Sequence, residues 1–163
     1  MPITTPKELF VTMLSDLRQG AERSAKIYEE LGEAAQSPEI KGALDAREFI
    51  TNQILSRLDE CFRLIGAKPA KVSGRLHEVF VEDFKKELSE IQSPVARRIF
   101  VLAKANRLMH LRIGEYGALI AVADALGQPA VGVLLESCLA DKLAFVERTR
   151  RLIRENLEQK LAA

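Results

Sequence analysis

The chain has no tryptophan, and aromatic residues make up only 6% of it. A core without large rings has to be aliphatic, which suits packed helices. Its two cysteines, Cys61 and Cys138, are far from the dense pattern of a secreted disulfide scaffold. Both fall on apolar helical stripes, so free buried thiols in a reducing cytoplasm are expected. No apolar run is long enough to span a membrane; the longest, around Gly117 to Ala123, stops at Asp124. The N-terminus shows no basic segment followed by an apolar one, so no secretory signal is expected. Charge of one sign is missing too: a net +1 gives no pull toward nucleic acid or an anionic membrane. Arg148, Arg150, Arg151 and Arg154 do cluster, but Glu147, Glu155 and Glu158 interleave with them, the pattern of a solvated face. There is no glycine-rich phosphate loop, no Cys-x-x-Cys, and no Ser/His/Asp set in a familiar context.

What the chain does have is helical punctuation. Ser93 to Gly127 is the organising stretch: Ser93 can cap, Pro94 takes the first helical position, and Gly127 followed by Pro129 ends the run. Between them Ile99, Ala103, Ile113, Gly117 and Ile120 recur at helical spacing, with Leu102, Met109 and Ala123 alongside. At about 1.5 Å per residue this is a rod of roughly 50 Å, the length of a bundle helix. Upstream, Thr5-Pro6-Lys7-Glu8 is a capping box ahead of Phe10, Leu14, Leu17, Ala21, Ser24, Tyr28 and Leu31. Ser37-Pro38 restarts the chain at once and forces an antiparallel hairpin with a second helix through Leu44, Leu58, Phe62 and Ile65. Gly127-Gln128-Pro129 makes the same joint to a last helix carrying Val131, Leu134, Cys138, Phe145, Leu152 and Leu157.

The two hairpins are joined by a longer connector, with a linker from Gly66 to Gly74. An amphipathic segment follows, with Leu76, Val79, Phe80, Phe84, Leu88 and Ile91 on one side. Two helical hairpins with one long crossover form the ferritin-like arrangement. The expectation is all-α: a single domain over 1–163, with helices at 6–35, 38–65, 94–126 and 129–158. The crossover, 66–92, contains an additional short helix, and the second and third long helices run parallel.

Three stretches carry a resemblance: Ser-Pro-Glu-Ile-Lys at 37–41, Phe-Arg-Leu-Ile-Gly-Ala-Lys-Pro at 62–69, and Glu-Tyr-Gly-Ala-Leu-Ile-Ala-Val-Ala-Asp-Ala-Leu-Gly at 115–127. In order and spacing they resemble the YciE/YciF-like bacterial ferritin-like family, stress-associated proteins with no firmly established activity. The likeness implies a metal site, which in ferritin-like centres draws carboxylates from all four helices. By this alignment Glu22 matches the family's inward glutamate on the first helix. On the second helix the acidic positions fall on Phe49 and Ile50, with only Glu48 adjacent. The family's Glu-His-Tyr-Glu becomes Met109, His110, Leu111 and Arg112, and its last acidic pair becomes Asp141 and Lys142.

The residues themselves point the same way. No Glu-x-x-His pair lies on a long helix, Met109 is a poor ligand for a hard cation, and Arg112 would repel one. No metal or other cofactor is therefore expected. The alternative is iron or manganese on the reduced set Glu22, His110 and Asp141, with His110 otherwise a partly buried, hydrogen-bonded imidazole. Arg112 is expected to supply the missing positive charge as an interior ion pair with Glu22, Glu48 or Asp141; Glu115, three residues on, is a further candidate that a surface salt bridge would explain. The favoured function is a non-enzymatic stress-associated protein with a degenerate di-metal site, acting through structure or a partner. A metal-binding protein or di-iron-type oxidoreductase is the alternative, and a dimeric helical adaptor the third reading. Leu108, Leu119, Val122 and Val133, which lie off the main stripes, are expected to form a homodimer face. Neither nucleic acid nor membrane is an expected partner.

Overall fold

A computed structural model describes residues 2–161, with every side chain except those of residues 48 and 159–161. The described residues form five helices and no strand: α1 (Pro6–Ala34), α2 (Pro38–Ile65), α3 (Arg75–Ser89), α4 (Pro94–Ala125) and α5 (Pro129–Leu161). The last helix thus continues beyond 158. Local chemistry starts the helices as the sequence indicates. Thr5 accepts from the Glu8 amide while the Glu8 carboxylate takes the Thr5 amide, and Ser37 and Ser93 cap α2 and α4 ahead of a proline. Gly66 closes α2 at φ 63°, and Gly127 follows α4 at φ 69°, both in the left-handed region. After α1 the same geometry falls on Gln36, at φ 51°, which costs a side-chain-bearing residue about 1–2 kcal/mol.

Contacts along the helices fix their directions. Lys41 meets Glu33 at 2.8 Å near the α1–α2 joint, and Arg18 meets Asp59 at 2.6 Å farther along, so the two are antiparallel. The start of α1 packs with the end of α4, through Phe10, Leu14 and Leu17 with Tyr116, Leu119 and Ala123. Both α2 and α4 are therefore antiparallel to α1 and parallel to each other, as a crossover requires. The connector runs beside α1 in the same direction: Ala70 donates to Ser15 Oγ, Val72 accepts from Gln19, Gly74 accepts from Arg23, and Lys85 pairs with Glu30. It delivers the chain to the far end of the bundle, where α3 packs Phe84 on Phe100 at 5.8 Å between centroids. The fold is the ferritin-like one.

The core is two apolar clusters, one at each end. One joins Phe10, Leu14, Leu58, Leu119 and Leu135; the other joins Tyr28, Leu31, Leu44, Leu102 and Phe145. Here the α4 stripe is corrected. Ala103 and Gly117 face solvent, and the inward face is Val101, Ala105, Leu108, Arg112, Tyr116, Leu119 and Ala123. On α3, Leu76 and Val79 are likewise exposed while His77 is buried. Leu108 and Leu119, expected at a dimer face, are core residues; Val122 is half-buried, and only Val133 of the four stands out, at 64% exposure. Leu119→Ala should cost about 2–5 kcal/mol in urea unfolding, against within about 0.5 kcal/mol for Val133→Ala. Equal costs would refute this assignment of inside and outside.

Candidate functional site

Between the two apolar clusters lies a layer of buried polar side chains, one level across the middle of the bundle. Each long helix after α1 contributes at the step separating its two apolar runs: Arg47 and Thr51 from α2, Arg112 from α4, Lys142 from α5. His77 enters from α3. Helix α1 contributes space. A Cβ at Gly20 would lie 2.6 Å from Nη2 of Arg112, so this glycine allows the guanidinium to cross the helix.

Beyond Gly20, Arg112 Nη1 donates to Asp16 at 2.5 Å and to Glu115 at 2.8 Å. The guanidinium is buried, but both carboxylates are over a third exposed, at the mouth of an open cleft of about 410 Å³ that Lys71 and Ser73 also line. Burial pulls the Arg112 pKa down, but the bonds to Glu115 and Asp16 carry it above its ordinary value. Nη2 lies 3.4 Å from His77 Nδ1, and His77 Nε2 lies 3.4 Å from Ser24 Oγ. Because arginine only donates, Nδ1 is the acceptor and Nε2 carries the proton that faces Ser24. Burial, followed by the Arg112 cation, lowers the His77 pKa to about 4, which holds the ring neutral.

The other two cations are placed differently. Arg47 Nη2 and Lys142 Nζ each lie 3.8 Å from the Met109 sulfur. Arg47 also stands 5.1 Å from the Phe145 ring centre and 5.8 Å from that of Tyr28; Lys142 is 5.3 Å from that of Tyr116. Burial, then the positive charge of Arg47, brings the Lys142 pKa down to about 7, and burial lowers that of Arg47 as well.

The residues expected to carry the site lie elsewhere. Glu22 is exposed and held by Arg18 at 2.6 Å; Asp141 is engaged by Arg57 at 2.5 Å; His110 faces solvent, not a partly buried pocket. The side chain of Glu48 lies outside the described residues. The partners of Arg112 are thus Asp16 and Glu115 instead of Glu22 or Asp141. The reason is angular: Glu22 follows the inward-facing Ala21 by one residue, about 100° around the helix, whereas Asp16 flanks the inward line at the level Gly20 leaves open. Among the described residues, no three His, Cys, Asp or Glu side chains gather where they could hold a metal. The groups that do converge, two arginines, a lysine and a thioether, do not fit the di-metal centre that the fold implies, because they add positive charge. Asp16 and Arg47 went unnoticed in the sequence, and His77 was placed only in the connector, although two signals were there. A lone glycine sits mid-helix at position 20, and Arg47 occupies a core step in the run Ile40, Leu44, Arg47, Thr51, Ile54, Leu58.

Comparison with known proteins agrees with the fold. The profile of the family described as "Domain of unknown function (DUF892)" matches residues 5–162. Protein YciF of Escherichia coli K12 is 21% identical over 161 residues, covering 98% of this chain and 97% of that protein. The crystal structure of the E. coli stress protein YciF superposes with a TM-score of 0.89 at 20% identity, over 96% of this chain and 99% of the other. YcfI of Rhodopseudomonas palustris, described as a proposed structural protein, gives 0.85 at 24% identity, over 91% and 94%. The chain belongs to the DUF892 family and is YciF-like.

Two predictions test the layer. Arg112→Ala should cost about 2–3 kcal/mol, less than stranding a fully buried carboxylate, because Asp16 and Glu115 can hydrate. Gly20→Ala displaces the same guanidinium, so the double variant should be milder than the sum of the two by over about 0.5 kcal/mol. Strict additivity in urea melts would show that the two do not meet. The second is a pH profile at low salt. Below pH 6.5 the unfolded chain protonates His77 while the folded chain resists until about pH 4, so stability should fall with acid across that window. Above pH 7 folded Lys142 is neutral while its unfolded form stays charged, so stability should rise with pH. Burial raises the Cys61 thiol pKa to about 12, and this opposes the rise once free thiols ionise. Lys142→Met should flatten the slope between pH 7 and 9; an unchanged slope would remove Lys142 from the account.

Proposed function

We propose that this member of the DUF892 family is a stress-associated protein that works through its structure or a partner, without a metal centre. The observation that carries the reading is the cationic middle of the bundle. Where a ferritin-like fold would gather carboxylates around two metal ions, this chain buries Arg47, Arg112 and Lys142. Like charge at that level opposes a divalent cation by several kcal/mol, and the one good ligand buried there, the His77 imidazole, has its two ring nitrogens turned to Arg112 and Ser24. The description of one relative as a stress protein and of another as a proposed structural protein supports a non-enzymatic role. No helix among the described residues is long and apolar enough to cross a membrane. A net charge of +1 gives no pull toward nucleic acid or an anionic surface, so the partner is sought among proteins. A second copy of the chain is one such partner, and Val133 is the one residue of the expected dimer face that stands exposed for it. Iron or manganese on Glu22, His110 and Asp141 is the competing reading; those three side chains are solvent-facing or ion-paired separately.

Elemental analysis of protein purified without chelator should find well below one iron, manganese or zinc per chain. Ferrous iron should oxidise no faster with the protein than in buffer. Stoichiometric metal that is lost in an Asp141→Ala variant would replace this reading with the oxidoreductase one.

A further inference from the structure

The cations in the central layer are unequally matched. Arg112 has two carboxylates. Arg47 and Lys142 have none among the described residues, since Asp141 is engaged with Arg57 and Glu115 with Arg112. Both cations are over nine-tenths buried; each has the Met109 sulfur, a weak acceptor, and the faces of aromatic rings, and Arg47 has in addition the neutral Tyr28 hydroxyl. Nε and Nη1 of Arg47 are buried with no hydrogen-bond partner, as is the hydroxyl of Tyr116, the residue whose ring lies beneath Lys142.

Lysine and arginine differ in how they can relieve such burial. Lys142 can release its proton; a guanidinium stays charged at every accessible pH. Ring faces attract a cation but accept no strong hydrogen bond, and water could satisfy the donors without balancing the charge. An unpaired buried charge costs several kcal/mol, so a counter-ion is the remaining solution.

We propose that the centre of the bundle binds one small monovalent inorganic anion, the size of a halide or nitrate, held by the free guanidinium edge of Arg47 with Lys142 and the Tyr116 hydroxyl. Monovalence follows from Arg47, the one charge that cannot be shed, and small size from the packed Tyr28, Met109 and Phe145 around it. The site takes a counter-ion of opposite sign from the one the fold implies, and it does not depend on the role proposed for the protein.

The test uses the full chain at constant sodium and ionic strength, with bromide replacing gluconate. Bromide is the poorer general stabiliser of the two, so a nonspecific salt effect would lower the melting midpoint. Binding should raise it by about 2–4 °C, saturating with concentration as mass action requires. Arg47→Met should abolish the rise, and Lys142→Met should reduce it; the second variant decides the matter if the first does not fold. Crystals grown in sodium bromide should show its anomalous signal within hydrogen-bond range of Arg47 Nε or Nη1. A midpoint that falls with bromide, a rise that survives in the variants, or bromide found only on the surface overturns the proposal.

Discussion

The passage of one guanidinium over a helix backbone organises this bundle. Arg112 occupies a core step of α4 between Leu108 and Tyr116, so its charge has to leave the interior or be matched inside it. It leaves by the gap at Gly20 and reaches Asp16 and Glu115 at the edge of solvent. The crossover closes on the same place. His77 takes the other side of the guanidinium and touches Ser24, while Arg23 bonds Gly74 at 2.9 Å and reaches Glu78 at 3.2 Å. An aliphatic residue at 112 would leave the pair α1–α4 packed but would remove one of the contacts that orient α3, others being those of Arg23, Ser24 and Phe100.

Electrostatically, a ferritin-like interior poses the same problem whichever way it is solved. Charges carried on inward steps of four helices have to sum to nearly zero where water is scarce. Carboxylates do so with metal ions; this chain places cations there and takes two of its counter-charges from the rim. The solution is incomplete at Arg47 and Lys142, where sulfur and ring faces stand in for carboxylate. Burial and neighbouring positive charge lower the pKa of both Lys142 and His77, whereas Arg112, alone with carboxylate partners, is held charged.

Features set by neighbouring residues were legible in the sequence. Thr5, Ser37 and Ser93 start helices, and Gly66 and Gly127 mark their ends, because capping involves atoms a few residues apart. The crossover was legible as well, since only a long connector lets α2 and α4 run parallel. The α4 core face was misread for a definite reason. Lys104 and Arg112 lie on the buried side and dilute its apolar period, while Ala103 and Gly117, small residues that fit an apolar stripe, lie outside. Choosing Glu22 over Asp16 failed similarly, because one residue along a helix turns a side chain by about 100°, and chain order does not show which helix leaves room opposite. That Cys61 and Cys138 are free and buried needed only their place on apolar stripes.

The polar layer also bears on how the helices find their alignment. Two aliphatic clusters joined end to end would tolerate sliding by a turn, since one leucine level resembles the next. Arg112 removes that freedom. Moved one turn along α1, its guanidinium would face Leu17 or Ser24 instead of Gly20, meet a Cβ where it now finds space, and lose Asp16. Arg47 and Lys142, which share the Met109 sulfur, impose the same requirement on α2 and α5. Polar groups at core steps commonly lower stability and narrow the set of packings a bundle can adopt. By that logic the layer's first role is to fix the register of four long helices around one level, and whatever the centre binds comes to a site already aligned.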